Sequence, residues 1–157
     1  MKGAAFIVPK LLGVDYGVKR IGTAITDTDT RIALPLKVVE GRNDVTRDAR
    51  SIADLGEAEG VSAFVVGLPL NMNDYVETDS PQTALTRRFA GELGRLSKKP
   101  VHLQDERLTT AAAQDVLDAA AVPLRSKRRK GLTDRIAAQK ILQAYLDQLP
   151  DSPGSPK

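Results

Sequence analysis

The sequence contains no cysteine and no tryptophan, and it has a single histidine. Without cysteine the chain forms neither a disulfide nor a thiolate metal site, which is typical of proteins of the reducing cytosol. No apolar run approaches the roughly 18 residues of a membrane span, and Met1–Lys10 has too brief an apolar run for a signal peptide. We therefore expect a cytoplasmic protein without a membrane partner.

The size and charge of the chain suit one globular domain. Its 157 residues are 41% hydrophobic and 27% charged, and we expect residues 1–150 to form that domain and the Pro/Gly/Ser-rich residues 151–157 to form a disordered tail. The net charge of +3 comes from one basic run, because without its five cations 18 basic residues face 20 acidic ones. We predict a basic loop that meets phosphates or, equally, one that only aids solubility. Its basic residues are Arg125, Lys127, Arg128, Arg129 and Lys130.

Three short apolar runs in the first third of the chain predict three strands joined by short links. The runs are Leu11–Val14, Arg20–Thr26 and Ile32–Val39. Gly22 in the second run would let another backbone approach closely, and Pro35 favours an edge position for the third strand. Links this short are typical of an antiparallel meander.

The rest of the chain alternates helical and strand patterns. Helices are predicted over Asp44–Glu59, Gln82–Leu96, Thr109–Ala121 and Leu132–Leu149, and strands over Val61–Leu68 and Val101–Gln104. Helix-linked strands after a meander predict an α/β protein with a mixed sheet, in which a three-strand antiparallel meander is joined by two parallel strands and helices cover both faces. This is the element order of an RNase H-like fold.

Four acidic residues lie where these predicted elements begin or end. Asp15 ends the first strand, Asp105 and Glu106 follow the last strand, and Asp134 lies near the predicted start of the last helix. Each has an ordinary structural explanation. Asp15 could form a turn before Gly17, and the others could favour a helix N-terminus.

Taken together, the acids indicate a metal site. Asp134 shares a helical face with Ala138, Ile141 and Leu142, where an unpaired carboxylate would be costly unless a metal ion or a cation relieved it. Ligands of open α/β sheets gather at the carboxyl ends of strands. Oxygen ligands, with no cysteine and with His102 as the one histidine, indicate Mg²⁺ or Mn²⁺. Two such ions can activate water for phosphodiester hydrolysis.

Cations follow the acids closely in the sequence. Lys19 and Arg20 come shortly after Asp15, and Arg107 comes directly after Glu106. They could hold the phosphate backbone near the metal ions or simply balance the acidic charge. The sparse aromatic residues favour contacts through phosphates and shape over base stacking.

Four stretches resemble the signature blocks of the YqgF/RuvX family. They read VDYGVKRIGTAITD, VVGLPLNM, DERLTT and TDRIAAQKILQAYLD, occur in the family's order and extend from Val14 to Asp147. Members of that family are described as Holliday junction resolvases and as pre-16S rRNA nucleases with an RNase H-like fold. The resemblance implies a metal-dependent nuclease that acts on four-way junction DNA or on precursor rRNA.

The resemblance also implies roles for particular residues. Asp15, Glu106 and Asp134 match catalytic, metal-binding acids, with Asp105 as a further metal-ligand candidate. The positions that match nucleic-acid contacts are Lys19, Arg20, Asn71 and Arg107. A symmetric four-way junction would need two active sites, so a homodimer is a further expectation.

Two features depart from the family pattern. The loop Asn73–Pro81 lacks the usual turn glycine and looks longer, which puts substrate contacts there in doubt. Resolvases of the RuvC group carry an acid at the end of the strand equivalent to Ala63–Gly67, where this chain continues with Leu68 and Pro69. The acid here would come from the next strand, at Glu106.

Two other classes of function are compatible with parts of the pattern. An actin-like or sugar-kinase-like ATPase also begins with a strand that ends in Asp, but that architecture needs two domains. A non-catalytic nucleic-acid-binding or ribosome-assembly factor could keep the fold, with its acids serving only structure. This second class predicts that Asp15→Asn leaves biological function intact.

Overall fold

The structure is a computed structural model that describes residues 9–27, 30–69, 80–106 and 126–149, with side chains in the last range from Asp134 onward. Its elements are β1 (Leu11–Asp15), β2 (Arg20–Asp27), β3 (Ile32–Glu40), α1 (Val45–Glu59), β4 (Ala63–Leu68), α2 (Pro81–Ser97), β5 (Val101–Asp105) and α3 (Ser126–Gln148). The predicted helix Thr109–Ala121 and the predicted tail 151–157 lie outside the described residues.

The five strands form one mixed sheet in the order β3-β2-β1-β4-β5. β1, β2 and β3 pair antiparallel, whereas β4 pairs parallel with both β1 and β5. The predicted meander and the two parallel strands are therefore confirmed. β3 lies at the edge of the sheet, as Pro35 predicted, and Pro35 pairs with Ala24 beside a register shift in β2.

The two faces of the sheet carry separate cores. β4 alternates between them, because Phe64 and Val66 belong to the core under α1 and α2 whereas Val65 belongs to the core under α3. Burial on both faces explains why β4 reads as one continuous apolar run. The helices thus cover both faces, and α3 packs across β1, β2 and β3.

Local sequence signals set the helix ends. Asp44 caps α1 by accepting a hydrogen bond from the backbone N–H of Arg47 at 3.0 Å. Gly60 ends the same helix in the left-handed region, at φ 73°. Ser80 caps α2 through the backbone N–H of Thr83, and Pro81 begins that helix, where its missing N–H costs nothing.

The last helix begins earlier than predicted. Its backbone is helical from Ser126, not from Leu132, so Ser126–Lys130 belong to α3 and the prediction of a basic loop is wrong for them. Lysine and arginine are good helix formers, whereas the prediction began the helix at its first apolar residue. Among the helices that the structure describes, none is long and apolar enough to cross a membrane.

A buried tyrosine–aspartate pair joins the end of β1 to α1. The Tyr16 hydroxyl donates to Asp48 Oδ2 at 3.2 Å, the backbone N–H of Arg42 donates to Asp48 Oδ1 at 2.9 Å, and Asp48 is fully buried. The Tyr16 ring stacks on Phe89 with centroids 4.2 Å apart. Because Tyr16 follows Asp15 directly, this pair fixes the chain beside the predicted site.

We expect Tyr16→Phe to lower the free energy of unfolding by about 1.5–3 kcal/mol, because a buried carboxylate loses a hydrogen-bond donor while the ring stacking remains. Urea unfolding measures the change. Tyr145→Phe is the matched control, since the Tyr145 ring stacks on His102 and phenylalanine preserves that stacking. Equal stability of the two variants would contradict a stabilising role for the Tyr16 hydroxyl.

Candidate active site

Asp15 lies at the carboxyl end of the central strand of the sheet. Its backbone pairs with that of Gly22 in the neighbouring strand β2, and the buried Tyr16 follows it in the chain. Burial first, and the nearby Asp134 carboxylate second, raise the pKa of Asp15 to about 6. The side chain is therefore a carboxyl group held by a rigid strand in surroundings that disfavour its negative charge.

Glu106 reaches the same edge of the sheet from β5. Asp105 ends β5 in register with Leu68 of β4, and Glu106 follows it. Burial, then the Asp15 carboxylate, then Asp105 raise the pKa of Glu106 to about 7. Gly67 leaves room for this side chain, since a Cβ added there would lie 2.9 Å from Glu106 Cγ.

Asp134 approaches from α3. Arg20 Nε donates to Asp134 Oδ2 at 2.8 Å, and the Asp134 side chain is only 18% exposed. The predicted apolar face is confirmed, because Ala138, Ile141 and Leu142 are fully buried. The sequence analysis predicted that a metal ion or a cation would relieve the charge of this carboxylate, and the Arg20 guanidinium is such a cation.

The position of Asp134 in α3 weakens its ordinary structural explanation. It lies about two helical turns after Ser126, and the helix dipole acts only within the first turn. Gly22 brings β2 against this part of α3, since an added Cβ would overlap the carbonyl oxygen of Asp134. The close approach predicted for Gly22 is confirmed, and it places Asp134 beside Asp15.

The donor set suits a hard divalent cation. Asp15 interacts electrostatically with both Asp134 and Glu106, and all three groups offer only carboxylate oxygens. As these side chains stand, no three acidic or histidine residues of the described ranges are close enough to share one ion. Burial and, second to it, repulsion between the carboxylates raise the two pKa values, and a cation between Asp15 and either neighbour would offset both effects, so these residues fit Mg²⁺ or Mn²⁺.

The other predicted site residues divide into three groups. Lys19 lies in the link between β1 and β2 and Arg20 begins β2; both are exposed, and Arg20 is bonded to Asp134. Asn71, Arg107 and Arg125 lie outside the described residues. Lys127, Arg128, Arg129 and Lys130 lie on the first turns of α3. His102, which the sequence offered as the one histidine, packs against Tyr145 on the edge strand β5, with centroids 5.0 Å apart.

The raised pKa values predict a stability that falls with pH in the metal-free protein. A carboxyl group whose pKa is higher in the folded state than in the unfolded state binds more protons when folded, so stability declines as the pH rises from about 4 to about 7. Asp15 alone contributes on the order of 3 kcal/mol to this decline, since its pKa rises from 3.8 to about 6. Asp15→Asn removes the charge and should flatten the curve.

Urea unfolding in EDTA between pH 4.5 and 8 measures this decline for the wild type and for Asp15→Asn. We expect the variant to be the more stable protein at pH 8 and the two to converge near pH 4.5. Parallel curves over the whole range would contradict a charge-disfavouring environment at Asp15. Because the Asp15 charge also raises the pKa of Glu106, the difference between the curves reports Asp15 together with its interaction with Glu106.

Fold and geometry together define an RNase H-like domain with carboxylates at the carboxyl edge of its sheet. Thermus thermophilus RuvC in complex with a Holliday junction substrate matches with a TM-score of 0.58 and 13% identity, over 90% of this chain and 98% of that one. The fowlpox virus resolvase, in complex with Holliday junction DNA, matches with a TM-score of 0.54 and 15% identity, over 90% and 99%. Identities this low show a shared fold alone.

The sequence comparison identifies the family. The family model described as RuvX, Holliday junction resolvase, matches residues 9–148, and the chain belongs to this family. A relative from Rhodopseudomonas palustris (strain BisB5), named "Putative pre-16S rRNA nuclease", is 42% identical over 88% of this chain and 83% of its own length. A relative of the same name from Moorella thermoacetica is 41% identical over 89% and 96%. The resemblance of the four sequence blocks is thereby confirmed.

Proposed function

We propose that this protein is a metal-dependent nuclease that hydrolyses phosphodiester bonds in structured nucleic acid. The observation that carries the proposal is the meeting of Asp15, Glu106 and Asp134 from three different elements, two of them with pKa values raised by burial and mutual repulsion. Such an arrangement costs stability, and a divalent cation bound to the carboxylates would offset the cost. If the three carboxylates had only a structural role, nothing would offset this cost in stability.

The residues have distinct roles in this proposal. Asp15, Glu106 and Asp134 would hold Mg²⁺ or Mn²⁺, with Asp105 next to Glu106 as a further oxygen donor. The bound ions would activate a water molecule and stabilise the leaving oxygen. β1 fixes the position of Asp15, and Arg20 orients the Asp134 carboxylate through its 2.8 Å hydrogen bond.

Arg20 could also contact the substrate. Its side chain remains 42% exposed while it is bonded to Asp134, so part of the guanidinium faces solvent. A cation there would stabilise negative charge that develops on the phosphate. Lys19 and Arg107, with the basic residues 125–130, would hold neighbouring phosphates.

The substrate class follows from the names of the relatives and structural neighbours. Four-way junction DNA and the precursor of 16S rRNA are the two candidates, and we propose cytoplasmic action on one of them. Cleavage of a symmetric junction would require a homodimer. The alternative is a non-catalytic ribosome-assembly factor.

A cleavage panel tests the proposal. Labelled four-way junction DNA, linear duplex DNA and a precursor-like RNA are incubated with the wild type in Mg²⁺, in Mn²⁺ and in EDTA. We expect metal-dependent cleavage, and the preferred substrate identifies junction resolution or rRNA processing. Binding without cleavage of any substrate in either metal would favour the assembly factor.

A further inference from the structure

Three arginines form an exposed basic face on the first turns of α1 and the link before it. Arg42, Arg47 and Arg50 line a shallow cavity of about 500 Å³ together with Thr46 and Ser51. All three arginine side chains are exposed. Within the described ranges, none of the three guanidinium groups forms an ion pair. We call these three residues the arginine face.

The acids of the same segment do not neutralise the arginine face. Asp44 caps α1 through the backbone N–H of Arg47. Asp48 is fully buried and is bonded to the Tyr16 hydroxyl and to the backbone N–H of Arg42. Both carboxylates therefore have hydrogen-bond partners other than the guanidinium groups, so the three guanidinium groups remain able to bind an anion from solvent.

The arginine face lies at the same edge of the sheet as Asp15. β3 runs parallel to β1, because each is antiparallel to β2, so Glu40 and Asp15 end at one edge. The backbone N–H of Gly41 donates to the carbonyl of Lys19 at 2.8 Å and ties the start of the face to the β1–β2 link. The start of the arginine face is thus hydrogen-bonded to the link that follows β1.

A second cavity lies next to that of the arginine face. It measures about 390 Å³, is lined by Tyr16 and Arg88 among others, and shares Thr46 with the cavity of the arginine face. The Tyr16 side chain belongs to the core under α1 and α2, so this cavity lies on the same face of the sheet as α1, and Asp44 also lines it. Arg88 adds a fourth cation to its wall.

We propose that the arginine face binds the phosphodiester backbone of a nucleic acid whose neighbouring segment lies at the carboxylates. The inference rests on the proposed function and extends it to a surface on the opposite face of the sheet from α3. Guanidinium groups bind phosphate oxygens with paired, charge-assisted hydrogen bonds. Contacts of this kind add affinity and fix orientation without reading base sequence.

The test compares salt-dependent binding by the wild type and by Arg47→Gln/Arg50→Gln. Affinity for labelled four-way junction DNA and for a precursor-like RNA is measured in EDTA, which prevents metal-dependent cleavage, across a range of KCl concentrations. We expect the variant to bind roughly tenfold more weakly at low salt and its salt slope to fall by about 2, because each phosphate that the protein no longer neutralises lowers the slope by about 1. Thermal unfolding checks that the variant is folded.

The matched control is Lys10→Gln/Lys98→Gln, which removes the same charge at the opposite edge of the sheet, where β1 begins and α2 ends. We expect its salt slope to equal that of the wild type. If both double variants bind equally weakly, or if both bind as tightly as the wild type, the inference is overturned while the proposed nuclease stands.

Two further outcomes would overturn the inference, and a third would identify the ligand. If the wild type binds neither nucleic acid at any salt concentration, both the inference and the proposed function fail. If Arg47→Gln/Arg50→Gln changes only the sedimentation of the protein, the arginine face joins two copies of the chain and the inference is overturned. Weaker binding of DNA alone, or of RNA alone, supports the face and identifies its ligand.

Discussion

Asp15→Asn should abolish cleavage, with a loss of about 10³-fold or more at saturating Mg²⁺. Asparagine preserves the shape of the side chain but removes the charge that the proposed metal ions would require. Of the three proposed ligands, Asp15 is the one that interacts with both of the others. Cleavage rates on the preferred substrate, with Mg²⁺ titrated into each protein by calorimetry, measure the loss of activity and of metal binding together.

The stability of Asp15→Asn shows whether a loss of cleavage could be due to unfolding of the variant. Because the charged form of Asp15 is disfavoured by burial, Asp15→Asn should be at least as stable as the wild type at pH 8. Loss of cleavage by a more stable protein cannot be due to unfolding. Asp54→Asn, on the exposed side of α1, is the control and should cleave normally. Undiminished cleavage by Asp15→Asn would remove Asp15 from the proposed catalytic site.

Gly22→Ala should destabilise the protein by about 3 kcal/mol or more, because overpacking against backbone cannot be relieved by a change of rotamer. The added Cβ would overlap the carbonyl oxygen of Asp134. α3 would have to move away from β2, which opens the core beneath Ala138 and shifts Asp134 relative to Asp15. Urea unfolding measures the loss of stability, and the cleavage assay measures the loss of activity.

Gly91→Ala is the matched control for this substitution. Gly91 lies in α2, and a Cβ added there has nothing within 4 Å. Alanine in a helix interior is favoured over glycine by about 0.5–1 kcal/mol, so this variant should be slightly more stable than the wild type. Equal stability of Gly22→Ala and the wild type would show that β2 and α3 do not approach each other so closely.

Much of the fold could be predicted because each strand has a local sequence signal, an apolar run bounded by short links or turn residues. The continuous apolar run of β4 indicates a strand that is buried on both faces. Pro35 indicates that β3 lies at an edge of the sheet. Short links require antiparallel pairing and helical links allow parallel pairing, so the topology followed from link lengths. The placement of Asp15 at a strand end required nothing beyond this reasoning.

Tertiary pairings were less accessible to sequence reasoning. The bond between Arg20 and Asp134 joins residues 114 positions apart, and no local pattern selects Arg20 over Lys19 for it. Tyr16 and Asp48 carry no periodic signal for their buried hydrogen bond. The one detectable clue was Gly22, whose missing side chain marked the place where α3 approaches the sheet.

The arginine face was missed for a different reason. Its members alternate with Asp44 and Asp48, so the segment looks neutral in the sequence. Only the structure shows that those two carboxylates are engaged by backbone N–H groups and by Tyr16. The basic run 125–130, by contrast, was conspicuous in the sequence, and its residues from Ser126 onward prove to be helical.

The position of a bound Mn²⁺ ion tests the central claim most directly. Crystals of the wild type with Mn²⁺ and a non-cleavable nucleic-acid analogue, measured for anomalous scattering, locate the ion without assumptions about activity. We predict an anomalous peak about 2.0–2.4 Å from a carboxylate oxygen of Asp15 and of Glu106 or Asp134. Mn²⁺ bound elsewhere, with these three carboxylates free of metal, would contradict the proposed nuclease site.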